Sequence, residues 1–99
     1  MLQGDSAAAA AELERAVRLD PSAGVRVDYG RALEASGKPE AAEARYREAL
    51  RADPQFAPAH YALGTLLARL GRVEEARSEI ALYQAAFDAA QQSRQRAGA

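Results

Sequence analysis

The chain repeats itself at an interval of 34 residues, and this period constrains the fold more than any other feature of the sequence. Small and apolar residues recur in register across the interval: Gly30 and Gly64, Leu33 and Leu67, Gly37 and Gly71, Ala42 and Ala76. A second register, at 33 residues, aligns Asp20-Pro21 with Asp53-Pro54. Periods of about 20 to 50 residues are typical of solenoids and related arrays, in which each unit packs on its neighbours. The sequence therefore predicts stacked copies of one structural unit.

Each unit is predicted to be a pair of helices. Ala, Leu, Glu and Arg dominate the chain, and the period-two alternation that is typical of strands is absent. Gly37 and Gly71 stand where a first helix would need a left-handed C-cap before the chain turns back. We predict an all-α chain of five helices with the last one longest, at about 6–19, 23–36, 39–52, 57–70 and 73–95.

Two glycines inside predicted helices need a packing reason, because glycine in a helix interior costs about 1 kcal/mol relative to alanine. Gly30 and Gly64 remove side-chain bulk at equivalent places in two units. We expect them to lie opposite Ala42 and Ala76, where antiparallel helices approach closely.

The pattern of small, aromatic and proline residues resembles the tetratricopeptide repeat (TPR). The matching residues are Tyr29-Gly30, Leu33, Gly37, Ala42, Tyr46, Ala49 and Pro54, and then Leu63-Gly64, Leu67, Gly71, Ala76 and Ile80. The resemblance implies a right-handed α-solenoid of antiparallel helix pairs, in one domain over residues 1–99. Residues 4–21 would be the second helix of a partial repeat. Residues 23–56 would form one full repeat, and residues 57–90 a second one whose last helix extends to about 96. Because it begins at half a repeat, we expect the sequence to be a fragment of a longer array.

Several positions depart from the repeat pattern. Arg26 and His60 occupy slots that usually hold a large residue, so we expect poorer or more exposed packing there. Asp88 stands in the slot of the terminating proline, so nothing is expected to stop the last helix there. Tyr83 replaces the small residue found as Ala49 in the preceding unit, which predicts that no ordinary repeat follows.

The composition disfavours catalysis and nucleic-acid binding. Thirteen Lys and Arg against fourteen Asp and Glu give a net charge of −1, without the basic excess of a nucleic-acid-binding domain. There is no cysteine, and the single histidine, His60, has no acidic residue three or four positions away. Acidic residues and arginines alternate at helical spacing, as in ordinary surface ion pairs. We predict a protein that is not an enzyme and uses no metal or cofactor.

No targeting signal is visible in the sequence. Its longest apolar run, Ala7 to Ala11, is far shorter than a membrane span, and no secretory signal is visible at the start. We therefore expect no membrane partner. The compartment stays unknown, with the cytoplasm as the default.

The resemblance implies a protein-interaction module that binds a peptide or partner protein in a concave groove, lined by the first helix of each repeat. It places six residues on that inner face: Val27, Arg31, Glu34, Tyr61, Thr65 and Arg69. Tyrosine and arginine are frequent at binding hot spots. The carboxylate clamp found in the family needs Lys and Asn where this chain has Val27 and Arg31, so that particular function is disfavoured.

The alternative prediction is a self-association element that forms a weak homodimer through its terminal helices. The first helix lacks the helix that would precede it in a full repeat, which would leave Leu13 uncovered. Tyr83 and Phe87 lie beyond the reach of a partner helix of ordinary length, so groups outside that helix pair would have to bury them. Exposed apolar patches of this kind are typical of association surfaces.

Overall fold

The structure is a computed structural model that describes the backbone of residues 3–98 and the side chains of residues 8–96. Within that range the chain forms five helices and no strand: α1 (Gln3–Leu19), α2 (Ala23–Ala35), α3 (Pro39–Ala52), α4 (Ala57–Arg69) and α5 (Val73–Gly98). The all-α prediction is confirmed, and α5 is the longest helix at 26 residues. None of these helices has both the length and the apolar character that crossing a membrane requires.

Two equivalent glycine turns create the helix pairs. Gly37 and Gly71 have φ values of 79° and 82°, in the left-handed region that glycine adopts without strain. In both turns the residue after the glycine donates its backbone N–H to the carbonyl five positions earlier, at 2.9 Å. This closes the end of the first helix and sends the chain back along it, which produces the α2–α3 and α4–α5 pairs.

The core lies between consecutive helices rather than at one centre. Each helix packs on the next one along the chain, and α2 also contacts α4, the first helix of the following pair. The largest fully buried side chains are Tyr46, Leu63 and Leu67, and alanines supply much of the remaining core. Small residues let the helices approach closely, so a chain with few bulky side chains still buries a continuous apolar layer.

Gly30 and Gly64 do mark close approaches, but the nearest atoms belong to other residues than the predicted alanines. A Cβ at Gly30 would lie 2.7 Å from Cδ1 of Tyr46, and a Cβ at Gly64 would lie 2.7 Å from Cδ1 of Ile80. Both partners stand four residues beyond the predicted alanines, one helical turn further along. The glycines therefore make room for a large side chain of the second helix rather than for its backbone.

The expectation of poorer packing at the two unusual slots is wrong for His60, which is buried. Its Nδ1 lies 2.8 Å from Oε2 of Glu79 on α5, and its Nε2 lies 2.8 Å from the carbonyl oxygen of Pro54. Arg26 is half-buried and donates to Oε1 of Glu48 at 3.1 Å. Polar groups can occupy apolar slots when each has a hydrogen-bond partner, and local spacing along one helix could not reveal partners on another.

Candidate functional site

A groove of about 520 Å³ opens between the beginning of α4, Arg31 on α2 and the later part of α5. We call it the aromatic groove and define it by its lining residues, which are Arg31, Gln55, Ala57, Pro58, Tyr61, Tyr83, Ala86, Phe87, Ala90 and Arg94. Most of these side chains are apolar, and three carry aromatic rings. A concave, largely apolar surface with a few polar groups has the general character of a binding site.

The three rings form one continuous surface along the groove. The ring centroids of Tyr61 and Tyr83 are 5.1 Å apart at an interplanar angle of 53°, and those of Tyr83 and Phe87 are 6.1 Å apart at 39°. Tilted pairs at such distances are favourable arrangements for aromatic rings. Tyr61 and Phe87 nevertheless remain 48% and 42% exposed. The groove therefore offers aromatic surface that the described chain leaves uncovered.

The length of α5 positions one wall of this groove. Helix α4 has 13 residues and α5 has 26, so the second half of α5 continues past the helix on which its first half packs. Asp88 takes the place of a terminating proline, and the helix keeps its hydrogen bonds through this point. Tyr83, Phe87, Ala90 and Arg94 follow one another at spacings of four, three and four, which places them on one face of α5.

Two arginines are the charged residues of the lining. Arg31 comes from α2 and Arg94 from the end of α5, and no carboxylate lines the groove. Among the side chains described, neither arginine has an acidic oxygen within 4.0 Å. The aromatic groove therefore has a basic character, although the chain as a whole has a net charge of −1.

The six residues predicted to line one concave face occupy several different surroundings. Arg31 and Tyr61 meet in the aromatic groove, as predicted. Val27 does not line a groove: it is 2% exposed and belongs to the hydrophobic core. Thr65 faces a second hollow between α4 and α5, and its Oγ1 donates to the carbonyl of Ala62 at 3.0 Å.

The other two predicted groove residues bind each other near the end of α4. Oε1 of Glu34 lies 3.7 Å from Nη2 of Arg69, and Oε2 of Glu34 accepts a hydrogen bond from the Tyr46 hydroxyl at 2.9 Å. Burial, together with this bond to a carboxylate, raises the pKa of Tyr46 well above its usual value, so the hydroxyl stays a donor. Oε2 of Glu34 is thus occupied inside the protein, whereas Oε1 makes only the longer contact with Arg69, and Glu34 does not line the aromatic groove.

A charged network joins the two repeats at the turn between α4 and α5. Nη1 of Arg72 donates to Oε1 of Glu43 at 2.7 Å, and Nη2 of Arg47 donates to Oε2 of Glu43 at 2.8 Å. The bond from Arg72, followed by that from Arg47, lowers the pKa of Glu43 although burial opposes the shift. Arg72 also binds Glu75 at 2.8 Å. This network joins α3 to the turn between α4 and α5.

A second apolar hollow, of about 560 Å³, lies between α4 and α5. It is the 34-residue equivalent of the α2–α3 surface on which α4 packs. Tyr46 on the covered surface is 0% exposed, whereas its equivalent Ile80 is 37% exposed. Within the described residues this face of the last helix pair has no cover.

Sequence reasoning assigned Tyr83 and Phe87 to self-association and did not connect them with Tyr61. Ala90 belongs to the same apolar seam of α5, whereas Gln55, Ala57, Pro58, Ala86 and Arg94 were not predicted as binding residues. The regular spacing along α5 could have identified the face that carries Phe87 and Arg94. Leu13 lies three residues from the buried Ala10 and is itself half-buried, so it lies toward α2 rather than on an uncovered face.

Two stacked helix pairs, preceded by a single helix, define a helical-repeat scaffold. Across the described side chains no group of three or more metal-ligating residues converges. Residues 27–97 match the tetratricopeptide repeat family, and the chain belongs to that family. It is 40% identical over 79 residues, 79% of its length, to a TPR repeat-containing thioredoxin of Arabidopsis thaliana. The alignment spans 12% of that relative and lies in its TPR part.

Proposed function

We propose that this chain is a non-catalytic protein-interaction module that binds a peptide segment of a partner protein in the aromatic groove. TPR modules in general mediate protein interactions, and the half-exposed rings of Tyr61 and Phe87 are the observation that supports this location. A partner side chain would pack against rings that are already held in place by their helices. Rigid aromatic anchors of this kind are frequent hot spots.

The exposed rings can supply a useful but limited amount of binding energy. A tyrosine or phenylalanine buries about 150–250 Å² when it is fully covered. Tyr61 and Phe87 are 48% and 42% exposed, so each has close to half of that area left to bury. At about 25 cal/mol per Å² the gain is about 2 kcal/mol for each ring, before the costs of association are subtracted. The balance favours a weak, reversible interaction.

The test is a selection from a random peptide library displayed on phage, with the wild-type chain as bait. The selected peptides should bind Phe87→Ala about tenfold more weakly than wild type, which corresponds to the loss of one anchor. Leu82→Ala is the matched control, because Leu82 is a half-exposed residue of the same helix outside the groove lining. Peptides that bind Phe87→Ala as tightly as wild type would place the binding surface elsewhere.

Self-association through the terminal helices is the second candidate, and the exposure of Phe87 favours it too. In that arrangement the second copy, rather than a peptide, covers Tyr83 and Phe87. Sedimentation at several concentrations distinguishes the two: a dimer that Phe87→Glu dissociates and Leu13→Glu does not would locate the contact on α5. A chain that stays monomeric at every concentration would leave peptide binding as the function.

A further inference from the structure

We propose that the aromatic groove selects acidic peptide segments, whose carboxylates bind Arg31 and Arg94 while an apolar side chain packs on the aromatic rings. The inference deepens the proposed function and rests on it. It identifies the partner by its chemistry: a short extended segment that combines an apolar residue, packed on Tyr61 and Phe87, with Asp or Glu residues.

The first argument is that the groove arginines form no ion pair among the side chains of residues 8–96. Seven arginines of the described part form ion pairs with acidic residues, namely Arg18, Arg26, Arg45, Arg47, Arg69, Arg72 and Arg77. Arg31 and Arg94 form none within the same range and face a lining without carboxylates. Within that range the donors of both guanidinium groups are available to the carboxylates of a ligand.

The second argument is the combination of charge with apolar surface. A guanidinium presents donors in a planar fork that matches the two oxygens of a carboxylate. The rings of Tyr61, Tyr83 and Phe87 lie in the same groove and would exclude water from a bound segment. An ion pair formed in such surroundings is screened less than one on an open surface. Acidic and apolar groups on one ligand would thus reinforce each other.

The third argument fixes the length of the ligand. From Tyr83 to Arg94 the helix rises about 16 Å, at about 1.5 Å per residue. An extended segment covers that distance in about five residues, at about 3.3 Å per residue. We infer a ligand that follows α5 with about five extended residues.

The experiment compares three fluorescently labelled peptides of about nine residues, which is enough to extend past both ends of the groove. All share a central Leu-Phe pair, flanked on both sides by glutamates, by glutamines or by lysines. Fluorescence anisotropy should show the glutamate peptide binding about tenfold more tightly than the glutamine peptide, with the lysine peptide weakest. This advantage should shrink as salt rises toward about 0.5 M, because the arginines are solvent-accessible.

Variants with reversed charge test the residues directly. The Arg31→Glu/Arg94→Glu double variant should reverse the preference, so that the lysine peptide becomes the tightest. Arg15→Glu/Arg51→Glu is the matched control, since it changes the net charge equally at exposed arginines outside the groove lining. This control should keep the wild-type order of the three peptides.

The outcomes separate the inference from the proposed function. Equal binding of the glutamate and glutamine peptides, lost in Phe87→Ala, would overturn acid selection and leave the groove as the binding site. Equal binding by wild type and Phe87→Ala would overturn both. Absence of binding by the glutamate peptide at millimolar concentration would also overturn acid selection. A single-stranded oligothymidylate that displaces the glutamate peptide at lower concentration than unlabelled peptide would point to a nucleic acid instead and refute the proposal.

Discussion

Alanine at Gly30 and alanine at Gly64 should have different effects, although the two glycines are equivalent in the repeat. A Cβ at Gly30 would lie 2.7 Å from Cδ1 and 3.0 Å from Cζ of Tyr46. That ring is 0% exposed, and its hydroxyl is bonded to Glu34 at 2.9 Å. A planar ring fixed at both ends cannot move away without shifting a helix. Gly30→Ala should therefore strain the contact between α2 and α3.

At Gly64 an added Cβ would clash with the flexible end of the Ile80 side chain. The new Cβ would lie 2.7 Å from Cδ1 and 3.0 Å from Cγ1 of Ile80. Ile80 is 37% exposed and borders the open hollow between α4 and α5. Rotating its side chain toward that space relieves the clash at a cost of about 0.5–1.5 kcal/mol.

The expected magnitudes follow from the opposing contributions. Each substitution gains about 1 kcal/mol of helix propensity. At Gly30, overpacking costs about 1–3 kcal/mol, and weakening the bond between Tyr46 and Glu34 costs about 1.5 kcal/mol. The net loss for Gly30→Ala is therefore about 2 kcal/mol, or a fall of about 8–16 °C in Tm. For Gly64→Ala the gain and the cost nearly cancel, and the stability should change by less than about 0.5 kcal/mol.

Urea denaturation followed by far-UV circular dichroism measures both variants. A double-mutant cycle with Tyr46→Ile identifies the source, because this change recreates around Gly30 the glycine–isoleucine pair of the second repeat. In that background Gly30→Ala should cost less than about 1 kcal/mol. An equal loss in both backgrounds, or equal losses for Gly30→Ala and Gly64→Ala, would refute the assignment of Tyr46 as the obstacle.

Two further predictions concern the charged and polar contacts between helices. Glu43→Gln should cost about 1 kcal/mol at neutral pH, because it weakens the bonds from Arg72 and Arg47. Those bonds hold the pKa of Glu43 below 4.5, so their stabilisation is present above about pH 4.5 and is lost as the pH falls through the lower folded-state pKa. The free energies of unfolding of wild type and Glu43→Gln, measured by urea titration, should therefore converge in acid. A difference that stays constant with pH would contradict this account. His60→Ala should cost about 2–4 kcal/mol, because it leaves the Glu79 carboxylate without its partner. In denaturant melts, adding Glu79→Ala should restore part of this lost stability. Additive losses would show that the two groups are not coupled.

Much of the fold follows from signals that act over a few residues. Gly37 and Gly71 end the first helix of each pair because they can adopt positive φ. Pro39 and Pro58 fall at the first turns of α3 and α4, where the missing N–H has no helical partner to lose. The 34-residue spacing repeats these signals, so the number of helices and their pairing could be predicted from the sequence.

The candidate site could be predicted only in part. Sequence reasoning placed Arg31 and Tyr61 on one binding surface, and the structure brings both into the aromatic groove. It also placed Val27 there, since helical spacing puts residues 27 and 31 on one face. That face is divided in the folded chain: Val27 is in the core, whereas Arg31 is exposed. Spacing along one helix shows which residues share a face, but a neighbouring helix determines which part of that face is covered.

The sequence by itself determined the helices, their turns and the repeat that stacks them, because caps, glycine turns and helical periodicity are properties of neighbouring residues. The tertiary structure alone decided that Tyr61 meets Tyr83, that Arg94 lies in the same groove as Arg31, and that His60 is buried beside Glu79. These contacts join residues that are 19 to 63 positions apart. They depend on how the helices cross and on where α5 passes α4, and no local pattern of residues specifies either.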